Sequence, residues 1–112
     1  MPKSANEAAS GAPRQMAEFF YSPEARHDLL EIWEFIAQDD LGAADRVERE
    51  IEQAVTMLAR NPELGHIRGD LTSKQVRFWP VYSYLIIYDP KARPLEVVRI
   101  LSGYRDVAAL LR

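Results

Sequence analysis

The sequence predicts an α+β fold, in which an N-terminal strand is followed by an antiparallel helical hairpin, a mainly antiparallel sheet of about four strands, and a short C-terminal helix. Two consecutive apolar stripes with helical spacing predict the hairpin, and three later runs of β-branched and aromatic residues predict the sheet. The length of 112 residues and the hydrophobic fraction of 47% suit one domain with a single core.

The amino-terminal segment differs in composition from the rest of the chain. Residues 1–16 are rich in Ser, Ala and Gly and offer little apolar surface, so burial cannot offset the entropy of ordering them. We therefore expect residues 1–16 to form a flexible tail and residues 17–112 to form the folded domain. The aromatic run at residues 17–21 predicts the first strand.

Capping residues and periodicity predict the two helices. Ser22 offers an N-cap hydroxyl, Pro23 suits the first helical position, and Glu24 places an acid in the first turn. The first apolar stripe is Ala25, Leu29, Ile32, Trp33 and Ile36. Residues 39–42 interrupt it, and we expect Asp39 and Asp40 to be solvated turn residues. The second stripe, which Asn61 and Pro62 end, is Ala44, Val47, Ile51, Ala54, Val55 and Leu58.

The carboxyl half predicts the sheet. Strands are expected at residues 75–79, 84–88 and 95–101, joined by short links at residues 80–83 and 89–94, which implies antiparallel hairpins. Asp106 is placed to cap a short final helix, whose apolar residues are Val107, Ala108, Leu110 and Leu111.

Composition excludes several classes of function. The chain has no cysteine and two histidines, so neither a disulfide framework nor a metal site is expected. No glycine-rich motif predicts a nucleotide or another cofactor. The net charge of -3 argues against binding naked nucleic acid, although the carboxyl half carries an excess of basic residues. Without an apolar run of about 20 residues or a signal segment, a cytoplasmic location with no membrane association is expected.

Four arginines on the sheet half are the candidate functional residues: Arg68, Arg77, Arg99 and Arg105. Arginine forks suit carboxylates and phosphates, but an isolated strand arginine is also often a solvated residue on the face of a sheet. Arg105 stands apart because it follows Gly103, where the backbone can turn at the end of a strand.

The order of elements and several short motifs resemble the RelE/ParE toxin superfamily, most closely its ParE-like members, which are also called plasmid stabilisation proteins. The resemblance covers residues 19–111. The motifs that carry it are Tyr21-Ser22-Pro23-Glu24-Ala25, Asp28-Leu29, Glu31-Ile32-Trp33, Phe35-Ile36-Ala37, Ala43-Ala44-Asp45-Arg46-Val47, Asn61-Pro62-Glu63-Leu64-Gly65, Val76-Arg77, Tyr84-Leu85-Ile86-Ile87-Tyr88 and the run from Val98 to Asp106.

The resemblance implies the toxin of a type II toxin-antitoxin system, bound and neutralised by a cognate antitoxin in a hetero-oligomer. ParE-like toxins poison DNA gyrase, whereas RelE-like toxins cut messenger RNA on the ribosome. The first activity implies target contacts through Tyr104, Arg105 and Arg77. The second would use Arg77, Arg99 and Arg105 as catalytic residues. Antitoxin contacts are expected at Leu29, Trp33, Ile36, Leu110 and Leu111.

Departures from the nuclease pattern favour a protein-binding toxin over an enzyme. Leu85 stands where the nuclease has an arginine in its middle strand, and Leu111 stands near the position of its late tyrosine. A nuclease without these charge-stabilising and proton-handling groups should be poor. Many ParE-like chains carry histidine where Ser102 stands, which leaves the role of that position open. An mRNA endoribonuclease and a non-toxic interaction module remain the alternatives.

Overall fold

The computed structural model describes residues 18–103 and 107–111. The predicted tail at residues 1–16 and the predicted cap Asp106 lie outside this part of the chain. The elements in chain order are β1 (Phe19–Tyr21), α1 (Pro23–Ala37), α2 (Leu41–Arg60), β2 (Arg77–Val81), β3 (Tyr84–Asp89), β4 (Leu95–Ser102) and α3 (Val107–Leu110). This order confirms the predicted α+β fold.

The four strands form one sheet in the order β1-β4-β3-β2. The pairs β2–β3 and β3–β4 are antiparallel, and β1 runs parallel to β4. β1 pairs with Leu95 to Val97 alone, so the rest of β4 has no neighbouring strand on that side. This open edge of β4 lies beside α1.

Side-chain caps fix where the two helices begin. The Ser22 hydroxyl accepts a hydrogen bond from the backbone N–H of Ala25 at 3.0 Å and donates to the carbonyl of Val98 at 2.7 Å, so it joins the start of α1 to β4. The Asp40 carboxylate accepts from the N–H of Ala43 at 3.0 Å. Asp40 is exposed, as expected, but it also caps α2, which therefore begins at Leu41, earlier than the apolar stripe indicates.

Both faces of the sheet are covered. The helical hairpin packs on one face, and the buried residues of this main core are Ala25, Ile51, Val55, Leu58, Ile86, Tyr88, Leu95, Val97 and Ile100. A smaller cluster lies on the other face, beneath α3, and comprises Val76, Phe78, Leu85, Ile87, Leu101, Val107 and Leu111. β3 contributes to both clusters, which explains its unbroken run of apolar and aromatic residues. No helix in the described ranges is long and apolar enough to cross a membrane.

The position of β2 corrects one prediction. The strand was expected at residues 75–79 with Pro80 in the following link, but it spans Arg77–Val81 and Pro80 pairs with Leu85. β2 is an edge strand, and the N–H of Phe78 points outward to the carbonyl of His66 at 2.8 Å. Strand alternation places the nitrogen of Pro80 on the same outward side, so its missing N–H removes no bond to β3.

A buried tyrosine ties the loop after α2 to the centre of the sheet. The Tyr88 hydroxyl donates to the carbonyl of Pro62 at 2.7 Å and accepts from the N–H of Gly65 at 2.8 Å. A side chain at position 65 would collide with the Tyr88 ring, because an added Cβ lies 2.7 Å from its Cε1 atom. Glycine is therefore required where this loop approaches the sheet.

We predict that Tyr88→Phe lowers the free energy of unfolding by about 1–3 kcal/mol, because it leaves the buried N–H of Gly65 without an acceptor. Urea denaturation measures the loss. Tyr84→Phe is the matched control in the same strand, since the Tyr84 hydroxyl has no hydrogen-bond partner in the described part of the chain. Equal losses for the two variants would contradict this role of Tyr88.

Candidate protein-binding site

Arg77, a predicted catalytic and target-binding residue, is held by the loop that follows α2. Its Nη1 atom donates to the carbonyl of Gly65 at 2.8 Å and to that of Glu63 at 3.2 Å, while its Nη2 atom lies 3.4 Å from the Glu63 carboxylate. The side chain is 21% exposed. The guanidinium hydrogen bonds of Arg77 therefore hold the loop after α2 against β2.

Arg99 forms a bidentate ion pair with Asp28 of α1. Its Nε atom lies 2.8 Å from Oδ2 and its Nη2 atom 2.9 Å from Oδ1, and the two side chains are 18% and 8% exposed. The expectation of a solvated residue on the sheet face is therefore wrong for Arg99. The hydrogen bonds and negative charge of Asp28 raise the pKa of the guanidinium above its ordinary value, against the lowering effect of burial, and Glu24 and Glu31 add to the increase.

The same carboxylate also caps the open edge of β4. Oδ2 of Asp28 accepts a hydrogen bond from the backbone N–H of Ile100 at 3.0 Å, at a point of β4 that β1 does not reach. Nη1 of Arg99 donates to the carbonyl of Leu110 at 3.3 Å. The Asp28–Arg99 pair thus connects α1, β4 and α3, which gives Arg99 a structural role at this edge.

Two predicted target-binding residues, Tyr104 and Arg105, lie outside the described residues. The part of the chain that leads to them is described. β4 ends at Ser102, and Gly103 has φ of 88°, in the left-handed region that glycine enters without steric cost. The backbone turn expected at this glycine is therefore present. Ser102 is exposed at the end of the strand.

An open groove runs between α1 and the open edge of β4. Its volume is about 440 Å³, and Arg99 and Asp28 line part of it. Phe35 of α1 and Leu110 of α3 both line this α1–β4 groove, and they are 69% and 45% exposed. The other apolar and aromatic residues along it are Ile32, Tyr84, Ile100 and Leu101. Large apolar side chains left open in one groove are typical of a protein-binding site.

A second groove lies on the outer side of the helical hairpin, with a volume of about 600 Å³. Leu29, Leu30 and Trp33 line it, and Leu30 is 52% exposed. The indole Nε1 atom of Trp33 donates to the Asp45 carboxylate at 2.9 Å, so the ring is held between α1 and α2. α1 therefore presents apolar side chains to two grooves as well as to the core.

The predicted antitoxin-binding residues are not brought together in one groove. Leu110 lines the α1–β4 groove, whereas Leu29 and Trp33 line the outer groove. Ile36 is partly buried, and Leu111 is 4% exposed within the smaller cluster beneath α3.

Sequence reasoning missed three residues of α1. Phe35 and Leu30 lie off the predicted buried stripe, and large apolar residues in such positions signal an exposed patch on a helix. Asp28 lies on the stripe itself, one turn from Ala25 and Ile32. An acid on the buried face of a predicted helix indicates an internal partner, but nothing in the sequence identifies Arg99 as that partner.

The described residues contain no cluster of three or more histidine, cysteine or carboxylate side chains that could hold a metal ion. Asp39 and Asp40 are exposed at the turn between the helices.

Comparison with known proteins gives one family. A family model described as "ParE toxin of type II toxin-antitoxin system, parDE" matches residues 19–107. The matched range covers well over half of the chain, from the first residue of β1 to the first residue of α3. Among curated proteins, none matches this sequence.

We predict that Asp28→Asn lowers the free energy of unfolding by about 2–4 kcal/mol, because it leaves a largely buried guanidinium without its counter-charge. Chemical denaturation measures the change. Glu18→Gln is the matched control, since Glu18 forms a bidentate pair with Arg60 that is well exposed to solvent and should contribute little. A loss for Asp28→Asn no larger than that for the control would contradict the structural role of the buried pair.

Proposed function

The chain belongs to the ParE toxin family of type II toxin-antitoxin systems, and from this we propose that it stops growth by inhibiting DNA gyrase. We further propose that a cognate antitoxin neutralises it by covering the α1–β4 groove. The observation that carries the proposal is that the two described candidate arginines of the sheet, Arg77 and Arg99, are engaged in internal contacts, whereas the α1–β4 groove, which Arg99 lines, is open and exposes large apolar side chains.

The described arginines of the sheet are not positioned for a ribonuclease mechanism. Stabilising charge on a phosphodiester requires donors aimed at the substrate, yet Arg99 donates to Asp28 and Arg77 to the loop after α2. Leu85 in the middle strand is 2% exposed, and Leu111 is buried as well. These contacts support a toxin that acts by binding its target, and they argue against cleavage of messenger RNA.

We propose that the segment that follows β4 contacts the target. Gly103 turns the chain out of the strand, and Tyr104 and Arg105 come directly after it. An arginine with an aromatic neighbour is a frequent combination at the centre of protein interfaces. Arg77 has less capacity for a target contact because its guanidinium already bonds two loop carbonyls.

The chemistry of the α1–β4 groove supports the site proposed for the antitoxin. Phe35 and Leu110 provide apolar anchors, and Glu31 also lines the groove. An amphipathic segment that places two apolar side chains over Phe35 and Leu110 would bury surface that α1 now exposes to water. An antitoxin segment that continued across α1 would also contact Leu29 and Trp33 in the outer groove.

We predict that induced expression of the chain without its antitoxin halts growth and activates DNA-damage signalling, and that co-expression of the antitoxin restores growth. Purified chain should inhibit supercoiling by gyrase, and Arg105→Ala should reduce this inhibition at least tenfold. Arg46→Ala, on the exposed surface of α2, is the matched control and should inhibit as the unchanged chain does. Normal supercoiling at every concentration would contradict the proposal, as would primer extension that finds cleaved messages in translating cells.

We predict that Phe35→Asp weakens antitoxin binding at least tenfold, because it places a charge in the apolar groove, and that Leu110→Asp has the same effect. Calorimetric titration of purified chain with the antitoxin measures the affinity. Leu41→Asp is the matched control, since Leu41 is a similarly exposed apolar residue, 62% accessible, that does not line the groove. Unchanged affinity for both groove variants would place the antitoxin elsewhere.

A further inference from the structure

A third groove lies between the loop after α2 and the turn that joins β3 to β4. Its volume is about 460 Å³, and it shares no lining residue with the α1–β4 groove or the outer groove. We call it the lysine groove and define it by Ile67, Lys74, Val76, Arg77, Pro90 and Lys91.

The lysine groove is positively charged in a chain whose net charge is -3. Lys74, Arg77 and Lys91 line it, and none of the described residues along it is acidic. Lys74 and Lys91 are exposed and form no salt bridge within residues 18–103 and 107–111. Two ammonium groups without internal counter-charges are available to an anionic partner.

The lysine groove also has an apolar side. Ile67 is 69% exposed, among the most exposed large apolar residues of the described chain. Pro90 is partly buried, and Val76 closes the groove toward the smaller core cluster. A partner side chain that covered Ile67 would bury apolar surface in the same groove that the lysines line.

The loop that carries Lys74 is held in place before any partner binds. Leu71 and Thr72 donate their backbone N–H groups to the carbonyl of Arg68, and the Thr72 hydroxyl accepts from the N–H of Lys74 at 3.1 Å. Arg68 and Asp70 form a bidentate pair in the same loop. A preformed loop lowers the entropy lost on binding.

From these features we infer that the lysine groove binds an acidic segment of a partner protein. Carboxylates of that segment pair with Lys74 and Lys91, and an aliphatic side chain between them covers Ile67 and Pro90. The phosphates of a nucleic acid would pair with Lys74 and Lys91, but its polar sugar-phosphate backbone would provide no apolar surface to cover Ile67. The combination of cations with an exposed aliphatic residue therefore favours a polypeptide over a nucleic acid.

The test uses the purified full chain, labelled with ¹⁵N, and a nine-residue peptide in which glutamate alternates with leucine. Fluorescence anisotropy gives the affinity, and amide shifts in NMR spectra locate the peptide. We expect shifts confined to residues 66–77 and 89–92. The double variant Lys74→Glu with Lys91→Glu should weaken binding at least tenfold, and Ile67→Ser at least threefold.

Arg46→Glu with Arg49→Glu is the matched control, because it makes the same change in net charge on the exposed surface of α2, and it should bind within twofold of the unchanged chain. The NMR spectrum of each variant verifies folding. If the charge-reversed lysine variant fails to fold, Lys74→Gln with Lys91→Gln replaces it, with an expected loss of at least threefold.

Three outcomes would overturn the inference. The first is equal weakening by the lysine and arginine double variants, which would indicate bulk charge alone. The second is equal affinity for a peptide in which glutamate alternates with serine. The third is lysine-dependent binding of a twelve-base-pair DNA duplex that is tighter than binding of the peptide. The measurement needs neither growth arrest nor antitoxin, so its failure leaves the proposed function untouched.

Discussion

The pairing of Asp28 with Arg99 is the contact on which the arrangement of α1, β4 and α3 depends. β4 loses its neighbouring strand after Val97, which leaves a strand edge where backbone groups need partners. The Asp28 carboxylate accepts from the N–H of Ile100 at this edge, and Arg99 neutralises its charge while bonding to α3. A buried carboxylate without this counter-charge would be costly, so the two residues have to be present together.

This constraint also shapes what the protein can do. Because Arg99 is used to hold α1 against the sheet, it is not available to a phosphodiester, and Arg77 is similarly occupied by the loop after α2. The surfaces that remain open are grooves with exposed apolar side chains: Phe35 and Leu110 beside β4, and Leu30 on the outer side of the hairpin. This distribution of groups supports our proposal that the chain, a member of the ParE toxin family, acts by binding proteins.

Much of the fold could be predicted from local chemistry, whereas the site could be predicted only in part. Ser22, Pro23 and Glu24 specify a helix start through their own side chains, and the structure has α1 beginning there. The predicted bounds of β2 were wrong because proline usually indicates a link between strands. Pro80 is compatible with a strand here only because β2 lies at the edge of the sheet, which the sequence does not reveal. The role of Arg99 could not be predicted, because its partner Asp28 is 71 positions away and becomes adjacent only after folding. The exposure of Phe35 was missed, although an apolar residue off the helical stripe is a signal that could have identified it.

The most direct test of this account is a double-mutant cycle between Asp28 and Arg99, measured by chemical denaturation of Asp28→Ala, Arg99→Ala and the double variant. We predict a coupling free energy of about 2 kcal/mol, within the range of roughly 0.5–3 kcal/mol for residues in contact, because removing either side chain leaves the other without its partner. Additive losses, with a coupling free energy near zero, would show that the pair does not hold α1 to β4 and would make Arg99 available again for chemistry.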